Sequence, residues 1–142
     1  MRKVADILIR KGTAVISIDA STSVLDALKL MAQKNIGSIV VNEQGNYAGL
    51  LTERDYARKV VLEGKSSGET VVRDIMSTGA PRVSPDDTVE HCMQLMSEGN
   101  VRYLPVFNSD TLAGIISISD VVTETILFHE QTIEHLQSYI HS

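Results

Sequence analysis

The spacing of apolar and polar positions changes between strand-like and helix-like patterns in the same order twice along the chain. A short extended segment, at residues 15–18 and again at 82–83, precedes a polar turn. An amphipathic helix is predicted next, because apolar residues recur at the spacing of one helical face. These residues are Val24, Leu25, Leu28, Met31 and Ala32 in the first copy and Val89, Cys92, Met93 and Met96 in the second. The segments 21–23 and 86–88 supply side chains that cap helix N-termini.

Each predicted helix is followed by two short β runs that form a hairpin. The runs are 38–42 and 47–52 in the first copy and 103–108 and 112–117 in the second. Between the first pair, Gly45 and Asn46 suit turn positions with a positive φ, and residues 109–111 form the second turn. A further helix is predicted to begin near Arg54 and again near Ser119. The order is therefore βαββα, twice.

These two series are one motif in duplicate. A shift of 65 residues aligns 13–57 with 78–122 without a gap, and nine of the 45 aligned positions are identical. The identical pairs include Asn35 with Asn100, Gly49 with Gly114 and Asp55 with Asp120. A preceding segment also recurs, since 4–8 resembles 72–76 at an offset of 68. We call these two segments the openers.

The duplication predicts the organisation of the chain. The segments are repeat 1 at 1–62, a linker at 63–71, repeat 2 at 72–127 and a C-terminal helical tail at 128–142. The small polar residues of the linker are typical of a surface connection or of a mobile loop over a site. The tail continues an apolar stripe through Val122, Ile126 and Ile133, which suggests docking on its own body or on a second subunit.

Composition narrows the classes of function. Apolar residues make up 43% and charged residues 22% of the chain, as in an ordinary globular protein. A formal charge of −5 gives no general attraction to nucleic acid or to an anionic membrane. The single Cys92 cannot form an internal disulfide, and no secretory leader opens the chain, so a cytoplasmic location is expected. Cys92 itself is interpreted as a small core residue.

The closing sequences of the two hairpins carry a family resemblance. They are Gly49-Leu50-Leu51-Thr52-Glu53-Arg54-Asp55 and Gly114-Ile115-Ile116-Ser117-Ile118-Ser119-Asp120. Together with the openers, this doubled Gly-x-x-Ser/Thr-x-x-Asp pattern resembles the CBS domain, named for cystathionine β-synthase. The resemblance covers the chain apart from the tail.

The resemblance implies both a fold and a ligand. The fold is α/β, of the α+β type, with two βαββα repeats packed sheet-to-sheet around a pseudo-twofold axis. CBS pairs bind adenosyl ligands such as AMP, ATP, NAD and S-adenosylmethionine in clefts between the repeats, and many dimerise.

The Ser/Thr-x-x-Asp spacing suits a nucleotide. A carboxylate can accept hydrogen bonds from both ribose hydroxyls, and a helix N-terminus offers donors to phosphate. Asp55 and Asp120 are the candidates for the ribose, and Thr52 and Ser117 stand three residues before them. By resemblance, Arg54 and Ser119, directly before each Asp, face the phosphates or the other half of the cleft.

The resemblance also implies a set of adenine-lining residues. Apolar walls fall at Ile36 and Val101, just before the hairpins. Further candidates around the first helix and the opening strand of each copy are Thr13, Thr22, Ala27, Thr78, Asp87 and Cys92. Arg102 is basic where the first copy has Gly37, so the two clefts are expected to be unequal.

Simpler interpretations remain open for the junction residues. In the simpler interpretation, Asp55 and Asp120 are helix caps and have no further role; a cap stabilises a helix by about 1 kcal/mol. Thr52 and Ser117 can be turn residues alone.

The other charged side chains also have a simpler interpretation. Arg58 and Lys59 are interpreted as a solvated helix face, and Arg102 as either a ligand contact or a surface ion pair. The methionines are interpreted as core residues: Met31, Met93 and Met96.

The sequence therefore predicts a binding module and not an enzyme. No nucleophile, Walker or dinucleotide motif is present, and the four histidines have no zinc-type spacing. The expected function is regulatory sensing of AMP, ATP or NAD by a cytoplasmic homodimer that signals to an effector protein, without a membrane or nucleic-acid partner. The alternative is a structural oligomerisation module with non-functional clefts.

Overall fold

The computed structural model describes residues 2–141, apart from the side chains of residues 132, 135, 136 and 138–141. In chain order the elements are α1 (Val4–Lys11), β1 (Ser17–Asp19), α2 (Val24–Lys34), β2 (Ser38–Glu43), β3 (Asn46–Thr52), α3 (Glu53–Tyr56), a π-helical turn (Ala57–Val61), a 3-10 turn (Val72–Asp74), α4 (Val89–Gly99), β4 (Tyr103–Asn108), β5 (Thr111–Ser117) and α5 (Ile118–His141). The predicted mixed α/β class and the two hairpins are confirmed. The predicted helical tail is confirmed as far as His141, and Ser142 lies outside the described residues.

The chain divides into two compact units. The middle unit is residues 15–80, and the terminal unit combines residues 1–14 with 81–142. In the middle unit, β2 pairs in parallel with β1 and antiparallel with β3. In the terminal unit, β4 and β5 form an antiparallel pair. Of the helices that the structure describes, none has both the length and the apolar character needed to cross a bilayer.

The extended segment predicted at residues 82–83 does not form a strand. Val83 makes a single parallel bridge to Val106, with hydrogen bonds of 3.1 Å from Val83 N to Pro105 O and 2.8 Å from Phe107 N to Val83 O. Pro81 and Pro85 flank this bridge, and proline has no N–H to extend a ladder. The first copy has no flanking prolines, and its strand β1 spans three residues.

Helices α2 and α4 have the same kinds of N-cap and C-cap. The side chains of Ser23 and Thr88 accept hydrogen bonds of 3.1 Å from the backbone of the third helical residue, which confirms the predicted N-caps. Asn35 and Asn100 end the helices in the left-handed conformation, with φ of 54° and 50°. Because Asn tolerates this conformation better than most residues, the two helix ends explain why this Asn is identical in both copies.

The hairpin turns use positive φ at different residues. In the first hairpin Gln44 and Gly45 have φ of 53° and 78°, and in the second Ser109 has φ of 58°. The prediction was correct for Gly45 and wrong for Asn46, because β3 already begins at Asn46. Both hairpins carry a register shift at the equivalent position, after Val41 and after Val106.

Each unit has its own hydrophobic core. Val24, Ala27 and Met31 of α2 pack in the middle unit, as the equivalent residues of α4 do in the terminal unit. Met31 and Met96 are both 3% exposed, so their interpretation as core residues is confirmed. The interpretation was wrong for Met93, which is 41% exposed and contacts Thr125 on α5 instead of the sheet.

The openers dock in the same way in the two units. Val4 N donates to Asp87 O at 2.9 Å in the terminal unit, and Val72 N donates to Thr22 O at 2.8 Å in the middle unit. Val4 and Val72 are both fully buried. Thus each compact unit contains the hairpin of one repeat and the opener of the other.

Candidate functional site

The candidate site is the junction where each hairpin runs into its second helix. Thr52 is the N-cap of α3, since Asp55 N donates to Thr52 Oγ1 at 3.1 Å. In return Thr52 N donates to Asp55 Oδ2 at 3.0 Å. This is a capping box, in which the cap and the third helical residue satisfy each other's N–H groups. The sequence therefore places the carboxylate by purely local means.

The same carboxylate is also held by two other parts of the middle unit. Ser77 Oγ donates to Asp55 Oδ1 at 2.7 Å, and Lys59 Nζ lies 3.0 Å from that oxygen. Lys59 Nζ donates further to Ile75 O at 2.9 Å. Asp55 is 6% exposed as a result. Lys59, interpreted as a solvated charge, has a side chain that is 41% exposed, but it also pairs with Asp55 one helical turn earlier. Arg58 is exposed, as interpreted.

The terminal unit repeats the capping box with a different cation. Ser117 N donates to Asp120 Oδ2 at 2.8 Å, and Asp120 N donates to Ser117 Oγ at 3.1 Å. The cation is Lys11 at the end of α1, whose Nζ lies 2.7 Å from Asp120 Oδ2. Lys11 Nζ also donates to Ile115 O at 2.9 Å.

These contacts keep the second junction carboxylate ionised. Burial raises the pKa of Asp120. Hydrogen bonds from Lys11 and Ser117, together with the Lys11 charge, lower the pKa by more than burial raises it, so that it lies below its usual range. An ionised carboxylate accepts hydrogen bonds and donates none, which suits a partner rich in hydroxyl groups.

A backbone hydrogen bond links each junction to the residues before its hairpin. Glu53 N donates to Gly37 O at 3.2 Å, and Ile118 N donates to Arg102 O at 2.9 Å. Gly37 and Arg102 are equivalent in the repeat, so at this position the second junction has a basic side chain where the first has glycine. The Arg102 side chain is exposed.

The predicted phosphate and adenine residues beside the junctions are accessible to different degrees. Arg54 is half-buried on α3, whereas Ser119 on α5 is exposed. Ile36 and Val101 are half-buried and pack against the core of their own unit.

An open groove of about 520 Å³ lies beside the first junction, within the middle unit. It is lined by Leu28, Met31, Ala32, Asn35, Ile36, Gly37, Glu53 and Tyr56. Of the residues that the sequence singled out for ligand binding, Ile36 lines it. Tyr56 was missed, although an aromatic side chain directly after the motif Asp was a usable signal in a chain with 4% aromatic residues.

Four further candidates stand near the openers or on exposed positions. Thr22 and Asp87 accept backbone bonds from the openers, and Asp87 Oδ2 also accepts from Ser84 N at 2.8 Å. Thr13 and Thr78 are exposed.

Two candidates are core residues in the structure. Ala27 and Cys92 are fully buried in the two cores, which confirms the interpretation of Cys92 as a core residue. Burial, with a smaller contribution from Asp87, raises the pKa of the Cys92 thiol to about 11. Among the side chains that the structure describes, no group of three His, Cys, Asp or Glu residues is placed to hold a metal ion.

Comparison with known proteins identifies the repeats. The CBS domain pattern matches residues 4–62 and 72–126. The mitochondrial CBS domain-containing protein CBSX3 of Arabidopsis thaliana is 40% identical over 123 residues, which are 83% of this chain and 60% of the relative. The chain therefore spans about three fifths of the length of that relative.

Solved structures agree in sequence and in fold. A candidate signal-transduction protein with CBS domains from Burkholderia ambifaria MC40-6 is 43% identical, with a TM-score of 0.85 over 88% of this chain and 94% of that one. A hexameric CBS-CP12 protein from bloom-forming cyanobacteria is 31% identical, with a TM-score of 0.77 over 97% of this chain and 83% of that one. The chain belongs to the CBS domain family and has its tandem fold.

Proposed function

We propose that this chain is a regulatory module that binds an adenine nucleotide, of the AMP, ATP or NAD type, at its strand-to-helix junctions. The observation that carries the proposal is the doubled capping box, which fixes Asp55 and Asp120 at the end of a strand beside a helix N-terminus. Both carboxylates are oriented before any ligand arrives, which reduces the entropy that binding costs.

The chemistry of a nucleotide matches the surroundings of these carboxylates. Each ribose hydroxyl that donates to an ionised carboxylate contributes about 1.5 to 3 kcal/mol. Arg54, Ser119 and Arg102 are the proposed phosphate partners, because guanidinium groups match phosphate oxygens in geometry and charge. Ile36 and Val101 supply the apolar surface that adenine requires.

The other candidates have supporting roles in this proposal. Thr22 and Asp87 shape the floor of the site through the backbone groups that hold the openers. Ala27 and Cys92 are fully buried in the cores, so their proposed role is to support the residues that contact the ligand. Thr13 and Thr78 supply hydroxyl groups from exposed positions after each opener.

Signalling is proposed to follow from a conformational or oligomeric change. Apolar side chains are exposed on helices of both units, a pattern typical of surfaces that associate. They are Leu25, Val61 and Leu62 in or next to helical segments of the middle unit, and Ile9, Met93, Ile118, Val122, Ile126 and Ile133 in the terminal unit. A homodimer or a higher homo-oligomer in the cytoplasm, acting on an effector protein and without catalysis, is the proposed assembly.

A thermal-shift panel of AMP, ADP, ATP, NAD, NADH and S-adenosylmethionine tests the proposal. At a concentration of about 100 times Kd, a bound ligand stabilises the protein by about 2.7 kcal/mol. Asp55→Ala and Asp120→Ala, measured separately, should each show whether that junction is occupied. The exposed turn variant Asp110→Ala is the matched control and should respond like the wild type. If no ligand of the panel raises the melting temperature, the proposal fails.

The alternative is a structural oligomerisation module without a ligand. One observation favours it: Thr52, Ser77 and Lys59 already satisfy the Asp55 carboxylate. It predicts no thermal shift with any nucleotide and an assembly state that does not respond to them. Sedimentation with and without AMP separates the two functions, and chromatography of the recovered nucleotide tests the absence of turnover.

A further inference from the structure

The contact between Lys11 and Asp120 joins two distant parts of the sequence. Lys11 is the last residue of α1, and its Nζ lies 2.7 Å from Asp120 Oδ2, across 109 residues of chain. The Lys11 side chain is 34% exposed and that of Asp120 is 15% exposed. An ion pair that water reaches in this way is easily replaced by another partner of the carboxylate.

The last turn of α1 depends on polar contacts of this kind. Val4, Ile7 and Leu8 are buried and anchor the start of the helix, whereas Ile9 is 82% exposed. Beyond Leu8, four polar contacts join this turn to α5 and β5. They are Arg10 Nε to Glu124 Oε1 at 3.2 Å, Arg10 Nη2 to Asp120 O at 3.4 Å, and the two bonds of Lys11 to Asp120 and Ile115. A segment with little apolar burial opens at low free-energy cost, so this turn can detach while the helix start stays docked.

The first junction lacks such a connection. Its cation, Lys59, is four residues after Asp55 in the same helical segment. If Lys59 is displaced from Asp55, it remains close by, because the backbone of α3 and the π-helical turn holds it there. Displacement of the cation therefore frees a residue of another element, α1, at Asp120, and only a residue of the same helical segment at Asp55.

We propose that Lys11 is a displaceable clasp, so that a ligand whose vicinal hydroxyls take the Asp120 carboxylate loosens the last turn of α1, which is then joined to α5 by the Arg10 contacts alone. The inference rests on the proposed function, since it needs a diol-bearing ligand at the second junction. The clasp competes with that ligand for one carboxylate oxygen, which already accepts from Ser117 N. Occupancy of the second junction is thereby coupled to the mobility of residues 9–14, and occupancy of the first is not.

Lys11→Met tests the clasp, because it keeps most of the apolar stem and removes the ammonium group. Lys59→Met is the matched control at the first junction, and Lys11→Gln is a second variant in case the first folds poorly, as judged by circular dichroism. AMP is the probe, with binding measured by calorimetry and the opening of residues 9–14 by amide hydrogen exchange. Both Lys11 variants should bind AMP about two- to fivefold more tightly than the wild type, the scale of an exposed ion pair. In the wild type, AMP should speed exchange in residues 9–14, and in the Lys11 variants exchange there should be fast without AMP.

The results separate the clasp from the proposed function. Weaker or unchanged AMP binding in the Lys11 variants, or exchange in residues 9–14 that ignores AMP, overturns the clasp while the wild type still binds AMP. An equal acceleration of these residues in Lys59→Met without AMP also overturns it, because the effect would not be specific to α1. A wild type that binds none of the nucleotide panel overturns the proposed function, and the clasp with it.

Discussion

At the scale of single residues, the carboxylate of Asp120 links pH to stability. Asp120 has a pKa below its usual range in the folded protein, and its ordinary value is about 3.9. A lowered folded-state pKa contributes stability that is fully present above the unfolded-state value and is lost as the pH falls through the folded-state value. The contribution of Asp120 is therefore complete at neutral pH and declines below about pH 4.

Asp120→Asn makes this contribution measurable. The variant should be less stable than the wild type at pH 7, and the difference should shrink as the pH falls below the ordinary Asp value, because protonated Asp and Asn carry the same charge. Urea unfolding at several pH values between 7 and 3 measures it, with Asp110→Asn as the exposed control. A stability difference that is the same at every pH would contradict the ionic account.

Equivalent glycines of the two hairpins face different neighbours. A Cβ on Gly49 would lie 2.5 Å from the backbone oxygen of Ser77, whereas a Cβ on Gly114 would lie 2.8 Å from Cδ2 of Leu8. The Ser77 oxygen cannot retreat, because it accepts a hydrogen bond of 2.9 Å from Leu50 N. The end of a leucine side chain can rotate.

The pair predicts unequal effects of the same substitution. Gly49→Ala should destabilise the protein by about 1 to 3 kcal/mol, the usual cost of overpacking, and Gly114→Ala by less. Each is the other's control, since both sit at the same place in the repeat. Chemical unfolding of the two variants measures the difference, and equal losses would show that the close approach to Ser77 does not set the requirement for glycine.

At the scale of elements, α1 is held by a buried acid. Glu124 on α5 is 2% exposed. Its Oε2 lies 3.4 Å from Nε of Arg2, which precedes α1, and its Oε1 lies 3.2 Å from Nε of Arg10 in the last turn of α1. Removal of one partner from a buried ion pair costs about 3 to 5 kcal/mol when the other stays buried. Here both arginines reach water, so the loss should be smaller.

Glu124→Ala should therefore lower the free energy of unfolding by about 2 kcal/mol, below that fully buried range, and should speed amide exchange throughout α1. Glu130→Ala, an exposed acid on the same helix, is the control and should change neither quantity. An α1 that stays fully protected in Glu124→Ala would show that Val4 and Ile7 hold it without the ion pairs.

The elements also show where sequence reasoning succeeds. The hairpins and the caps at Ser23 and Thr88 were predictable, because apolar period and capping chemistry act over a few residues. The Lys59 pair with Asp55 was within reach for the same reason, since one helical turn separates the two. The strand predicted at 82–83 does not form, because the prolines on both sides cannot extend a ladder.

Contacts between residues that are far apart in the sequence could not be predicted. Lys11 meets Asp120 across 109 residues, and no local pattern marks that pair. The openers look like the first elements of their own repeats, yet each packs with the hairpin of the other repeat. The ligand roles carried over from the family resemblance stay predictions, since Asp55 and Asp120 each have an intramolecular cation in the structure.

At the scale of the whole molecule, the duplicated fold has two capping acids, and we propose a ribose-binding role for both. The duplication gives two junctions of the same geometry with different cations, Lys59 at one and Lys11 at the other. The proposed function therefore predicts two sites for the same class of ligand, with a different response to occupancy of each.

Calorimetric titration with AMP and with 2′-deoxy-AMP tests the ribose claim most directly. In the wild type, loss of one hydroxyl that donates to an ionised carboxylate should weaken binding by at least about 1.5 kcal/mol, roughly tenfold. In the double variant Asp55→Ala with Asp120→Ala, the two nucleotides should bind equally weakly. Equal affinities for AMP and 2′-deoxy-AMP in the wild type would contradict the account.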